Sequence, residues 1–280
     1  MNVKYLSVLF VGDDAFDSDE GYQGKGQFLF AMTGAQGNHG TEMDSKTNSN
    51  FDSMPRSHPA FYSMTIIGGG ASGRGGGLMR LREGTGGKFG NVILTNPTDI
   101  GVRIGDCGSE AVTQTLPSAG TSIGMGGDSA SAGYLYFSSN NIVSGASQTL
   151  SMSCSGKALT AANFQAITSS AGLVDVPANS DYSVLTSTFN PLPAPTGTAC
   201  YSQTDSMSSW YDAVSCKGAF ASPTDNWLEG WSWLDCANKM ASTGATDMCT
   251  SLPASPFATL SNDVVAIGGA QTADLHLDSS

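Results

Sequence analysis

One segment of this 280-residue chain occurs twice, and that recurrence limits the architecture more than any other feature. Glu20-Gly21-Tyr22-Gln23-Gly24-Lys25 returns as Glu83-Gly84-Thr85-Gly86-Gly87-Lys88. Each copy follows a short alternating segment and precedes an apolar run, Phe28-Leu29-Phe30 in the first and Val92-Ile93-Leu94 in the second. One supersecondary unit used repeatedly describes a solenoid, in which stacked copies bury a continuous core. On this register residues 16–19, 41–44, 79–82 and 102–105 align, with starts 25, 38 and 23 residues apart. The two shorter intervals suit one turn of a β-helix. The longer one holds two turn-rich stretches, 45–59 and 68–77.

Side chains alternate along a strand. Phe16, Thr41, Met79 and Val102 therefore stack inward, as do Ser18, Met43, Leu81 and Ile104. Asp17, Glu42, Arg80 and Arg103 form one outward column, and Asp19, Asp44, Arg82 and Gly105 the next. With coils ~4.8 Å apart, the four carboxylates Asp17, Asp19, Glu42 and Asp44 form a square beside three guanidinium groups. Their repulsion is relieved either by Ca²⁺, which takes oxygen ligands, or by a ladder of ion pairs to the arginines. The spacing is not that of an EF-hand, which needs a Gly at loop position 6 and a Glu at 12.

Only 13% of residues are charged and 35 are Gly, a composition of short strands and turns. An all-β chain is expected. Twelve Lys+Arg against 24 Asp+Glu leave a net charge of −12, which excludes a nucleic-acid partner. No apolar run reaches the roughly 18 to 20 residues of a membrane span. Residues 3–11 read as a strand and make a poor signal peptide, lacking a small-residue cleavage site. Either an export signal lies upstream or the protein is intracellular. The first coil would then expose an open edge, to be covered by an upstream segment, an end-to-end second copy or another subunit. The six cysteines contain no CxxC pair, and their even number favours disulfides and an oxidising compartment. Cys200–Cys216 and Cys236–Cys249 are the expected local pairs.

Three stretches follow. Residues 1–110 are β-helix coils, and 111–199 a Ser/Ala/Gly-rich set of variable coils or an insertion. In the latter, Tyr134-Leu135-Tyr136-Phe137 and Thr149-Leu150-Ser151-Met152 read as strands and 158–170 as a short helix, before a linker at Pro191, Pro193 and Pro195. Residues 200–280 are aromatic- and Cys-rich and carry all four Trp. They are expected to plug the open C-terminal end of the solenoid. Alternatively, Trp227, Trp231 and Trp233 offer a platform for sugar rings.

Enzyme signatures are sparse. His39, His58 and His276 show no HExxH spacing. His39, near Glu42 and Asp44, reads as a turn histidine, with a ligand role as the alternative. Gly120-Thr121-Ser122-Ile123-Gly124 matches GxSxG but lacks the strand before and helix after that a nucleophile elbow requires. The glycines of 68–77 lack the Lys of a P-loop.

Asp13-Asp14-Ala15-Phe16-Asp17-Ser18-Asp19-Glu20-Gly21-Tyr22, Gln27-Phe28 and His39-Gly40-Thr41-Glu42-Met43-Asp44 resemble a motif series in large secreted β-helix proteins of marine bacteria, often lipoproteins of unassigned function. Cys216-Lys217-Gly218-Ala219-Phe220 and Asn226-Trp227-Leu228-Glu229-Gly230-Trp231 resemble the segment that ends those modules. The resemblance implies a right-handed parallel β-helix, exported and surface-associated, and carries no catalytic residues. The expectation is an extracellular surface or matrix module, non-catalytic, binding glycan or a protein partner and stabilised by Ca²⁺. The alternative is a pectate-lyase-like polysaccharide lyase or hydrolase in which Ca²⁺ neutralises a uronate and Arg80 or Arg103 is the base. Against it stands the Arg pKa, above about 12. A subunit of an extracellular filament is the third reading.

Overall fold

The long strands of this protein turn a corner without ending. The computed structural model describes residues 1–45, 51, 54–70, 73–74, 76–106, 135–138, 141–153, 166–167, 185, 189–193, 208–241 and 276–277. In it, β1 (Val3–Leu9), β3 (Lys25–Gly34), β5 (Ala60–Gly68) and β7 (Gly87–Thr95) lie side by side in parallel. Each passes through one non-glycine residue at positive φ: Tyr5 at 57°, Phe28 at 59°, Ser63 at 62° and Asn91 at 57°. The flanking pairs Lys4↔Gln27 and Leu6↔Leu29, Gln27↔Tyr62 and Leu29↔Met64, and Tyr62↔Gly90 and Met64↔Val92 put these four residues in one column. A left-handed residue in a strand bends it and shifts the alternation by one. Phe61 and Met64 accordingly both enter the inner core, as do Phe89 and Val92, although each pair is three residues apart.

The next coil divides at the same point. β9 (Leu135–Phe137) pairs with the first half of β7, and β10 (Asn141–Ser144) with the second. At the bend, the Asn91 N–H donates to Ser138 Oγ (3.2 Å) and the Val92 N–H to Asn141 Oδ1 (3.0 Å).

The third side of each coil is a short strand: β2 (Phe16–Ser18), β4 (Thr41–Met43), β6 (Met79–Leu81), β8 (Ile100–Ile104) and β11 (Gln148–Met152). Phe16, Thr41, Met79 and Val102 share one row; Asp17, Glu42, Arg80 and Arg103 the next; Ser18, Met43, Leu81 and Ile104 the third. This is the register expected from the alternation. The twice-used segment is the corner that follows: Glu20 and Glu83 stand at φ 48° and 50°, with Gly21 and Gly84 at 91° and 79°. Asp106 repeats it at 50°. Because β5 lies between β3 and β7, the two copies are two coils apart. The architecture is an all-β parallel β-helix.

Stacking continues beyond residue 110, since β10 adds to β7, β11 to β8, and β12 (Ala166–Ile167) to β10. Residues 166–167 are thus strand where a helix was expected; the rest of 158–170 lies outside the described residues. Pro191 and Pro193 do not stand in a free linker. Phe189 and Leu192 on either side pack into the tail cluster described next.

The aromatic tail occupies a place other than the expected one. Outward side chains of the long strands, Leu9, Phe30, Met32, Ile67, Ile93 and Ile142, form a second apolar surface covered by Phe220, Leu228, Trp233 and Leu234. Residues 208–241 therefore cover a flank of the solenoid instead of its C-terminal end. Two polar anchors fix the cover: the Gly218 N–H donates to Asn91 O (3.0 Å) and the Ala219 N–H to Thr65 Oγ1 (2.9 Å). Its one short helix, α1 (Trp233–Cys236), starts at Ser232, whose hydroxyl accepts the Asp235 N–H. Beside β2 lies a further parallel strand, β13 (His276–Leu277). The chain's own C-terminal part thus sits at an edge where a second molecule or an upstream segment was expected, while β1 remains the edge of the larger sheet.

Asn91 joins bend and cover, because its Nδ2 donates to Ser63 Oγ (2.9 Å) and to Cys216 O (3.0 Å). Asn91→Ala leaves both acceptors buried and puts a less tolerant residue at positive φ, so we expect a loss of about 2–3 kcal/mol in urea unfolding. An unchanged midpoint would mean that the bend is held without this side chain.

Candidate functional site

The outward face of the short strands carries most of the ionisable chemistry. Arg82, on the corner after β6, spans the two preceding carboxylates: Nε and Nη2 donate to Asp44 at 2.8 Å each, and Nη2 also lies 2.8 Å from Glu42 Oε2. Arg80 pairs with Asp106, one coil further on. Arg103 has no ion pair among the described residues. Asp19 accepts the Glu20 N–H at 2.6 Å and turns toward its own corner. Asp17 shares its row with Glu42. The square of Asp17, Asp19, Glu42 and Asp44 is therefore not assembled round one point. Two of its members, Glu42 and Asp44, pair with Arg82, as in the ion-pair ladder.

Burial sets the electrostatics. The Asp44 carboxyl is pushed up to about 6 by desolvation, which Arg82 opposes. Burial works against the charge of Arg82, and the hydrogen bonds and charges of Asp44 and Glu42 outweigh it, so its pKa is raised.

A different trio does converge. One ligand atom each from Asp14, His39 and Glu42 lie within 4.8 Å of one another, and among the described residues no other such group occurs. Asp14 comes from the loop before β2, His39 from the loop before β4, and Glu42 from β4 itself. The stacked backbone sets their positions, through Ala15 N–H to His39 O (3.0 Å) and Asn38 N–H to Asp13 O (2.9 Å). The His39 N–H donates to Asp14 Oδ1 at 2.7 Å, and its ring Nδ1 donates to Gly77 O at 2.5 Å. His39 Nε2 then faces Glu42 Oε1 at 3.5 Å. Burial lowers the His39 pKa to about 4, so the ring is neutral at pH 7 and this contact is not an ion pair there. Desolvation and the charge of Glu42 push the Asp14 carboxyl up to about 8. Glu42 is raised as well, by burial first.

His39 was legible as a ligand alternative; Asp14 was not in the expected set. A signal for it exists in the sequence. Asp14 and His39 are 25 residues apart, the interval that relates β2 to β4, so coil stacking alone makes them neighbours.

The tail side chains divide by burial. Trp233 is 3% exposed, edge-on to Phe10, and offers no face to a ligand. Trp227 and Trp231 are half-buried, with stacked rings 6.0 Å apart at 20°. Trp227 also meets Tyr5 edge-on at 5.7 Å, and Tyr5 stacks on Phe28 at 4.8 Å. Tyr5 itself stays 47% exposed. Cys216 and Cys236 are not free thiols, and their expected partners Cys200 and Cys249 lie outside the described residues.

Removing Arg82 tests the ladder. In Arg82→Met the Asp44 carboxylate, only 5% exposed, keeps its burial and loses its counter-charge. We expect a cost of about 3 kcal/mol at pH 7. Adding Asp44→Asn should recover most of it; a double variant as unstable as the single one would show that the guanidinium acts through packing.

No helix of the described residues is long and apolar enough to cross a membrane. Neither a curated protein nor a solved structure matches the chain. Residues 1–125, which contain β1 to β8 and the Asp14–His39–Glu42 corner, match the family model described as a pectate-lyase like beta helix domain.

Proposed function

We propose that the protein is a non-catalytic module of the cell exterior that binds glycan chains along the flank of its solenoid. The carrying observation is the Tyr5–Trp227–Trp231 row. Tyr5 keeps nearly half of its surface in water while stacked on Phe28, and two indoles extend the row across the cover. Aromatic faces beside polar groups suit sugar rings, which present apolar C–H faces and hydroxyl edges. Lys4 and Asp212, 2.7 Å apart, supply the polar groups, with Lys4 Nζ 4.8 Å from the Trp210 ring. Both indole N–H groups point inward, Trp227 to Ala219 O (2.8 Å) and Trp231 to Trp227 O (2.5 Å), so the rings are held without a ligand.

The lyase alternative is less well supported. Arg80, a base candidate, is buried and paired with Asp106. Arg82 already pairs with Glu42 and Asp44, two of the four carboxylates of the calcium reading. Export agrees with the proposed Cys200–Cys216 and Cys236–Cys249 bridges, which mass mapping of the unreduced protein would identify.

Retention of the protein on immobilised polysaccharides, acidic and neutral, tests the reading. Trp231→Ala and Tyr5→Ala should each weaken binding at least tenfold, about 1.4 kcal/mol, in protein that still unfolds in one cooperative urea transition, with a lowered midpoint for Trp231→Ala because its ring packs on the cover. Binding that ignores both substitutions would remove the aromatic row from the argument. Release of unsaturated uronates, followed by absorbance, would establish the lyase instead.

A further inference from the structure

We propose that Asp14, His39 and Glu42 form a site for a divalent first-row transition ion of the zinc class, which ties the first two coils together at one corner. His39 Nδ1 donates to Gly77 O, which makes Nε2 the ring's ligand atom, and the side chain is 5% exposed. Nε2 is directed at Glu42 Oε1, which is also an acceptor, at a distance beyond a hydrogen bond. One imidazole nitrogen and two carboxyl groups bring a ligand atom each to within 4.8 Å of one another, an arrangement that a cation satisfies.

Distances agree with that. Two ligands about 2.1 Å from a tetrahedral ion are roughly 3.4 Å apart; Nε2 and Oε1 are 3.5 Å apart. Every ligand is also braced from behind. Gly77 O fixes the imidazole, Arg82 holds the other oxygen of Glu42 at 2.8 Å, and the His39 N–H holds Asp14 at 2.7 Å. Such outer partners orient metal ligands and set the histidine tautomer. The imidazole selects the metal class, because Ca²⁺ and Mg²⁺ take oxygen ligands whereas Zn²⁺ accepts nitrogen and carboxylate together. Three protein ligands leave a fourth position for water.

The test uses the full chain, stripped with chelator and titrated with Zn²⁺ by calorimetry. One ion per chain is expected, with binding weakened at least a hundredfold in His39→Gln and in Asp14→Asn, and less than threefold in Asp19→Asn. A second measurement needs no variant: Co²⁺ on the unaltered protein should give visible d–d bands typical of nitrogen and oxygen ligands, without a thiolate charge-transfer band. The proposal is overturned by a Zn²⁺ affinity weaker than about 100 μM, by undiminished binding in His39→Gln, by a thiolate band, or by Ca²⁺ binding more tightly than Zn²⁺. Because the titration is independent of glycan retention, its outcome is separable from that of the aromatic flank.

Discussion

A β-helix has to bend its strands without unpairing them, and here the bend is one left-handed residue per coil. A single Tyr5 at φ 57° would be strained. The column Tyr5, Phe28, Ser63, Asn91 lets each coil hold the same bend in the next, because the parallel ladder resumes on both sides of it. Everything outward of the long strands follows from this phase shift. It sends Leu29, Met64 and Val92 inward and leaves Phe30, Thr65 and Ile93 on the outside.

That outer surface explains the tail. Strands with apolar side chains on both parities need two covers, one being the stacked interior and the other residues 208–241. Two bonds that fasten the cover end at or beside a bend, Gly218 to Asn91 and Asn91 to Cys216. The aromatic residues left over from covering, Tyr5, Trp227 and Trp231, are those on which the binding proposal rests.

The short strands were legible because their alternation is strict and their outward residues are charged; Asp17, Glu42, Arg80 and Arg103 could occupy one row and no other. The bends were not. Left-handed positions are expected at Gly or Asn, and of the four only Asn91 obeys, whereas Tyr5, Phe28 and Ser63 are imposed by their neighbours. The sequence suggested that the tail aromatics cap the C-terminal end of the solenoid, and the flank was not foreseen, since the outward half of Phe28-Leu29-Phe30 cannot be separated from its inward half without the bend. In the acidic corner, strand parity put Glu42 in the row of Asp17 and Arg80, where the strand ladder pairs it. Asp14 and His39 escaped it because they precede their strands and answer to coil spacing.

The flank cover also bears on the order in which the chain acquires its structure. Coils of a solenoid form from residues near in sequence and can assemble progressively. The bond from Lys4 to Asp212 instead closes across 208 residues. On a ribosome the first coils therefore emerge with Phe30, Ile67 and Ile93 uncovered, and they stay so until the cover has been synthesised. The nascent coils carry a long apolar strip throughout that interval, the condition in which parallel sheets are most exposed to misassembly. The outer apolar face of the first coils is thus buried only once residues 208–241 are in place.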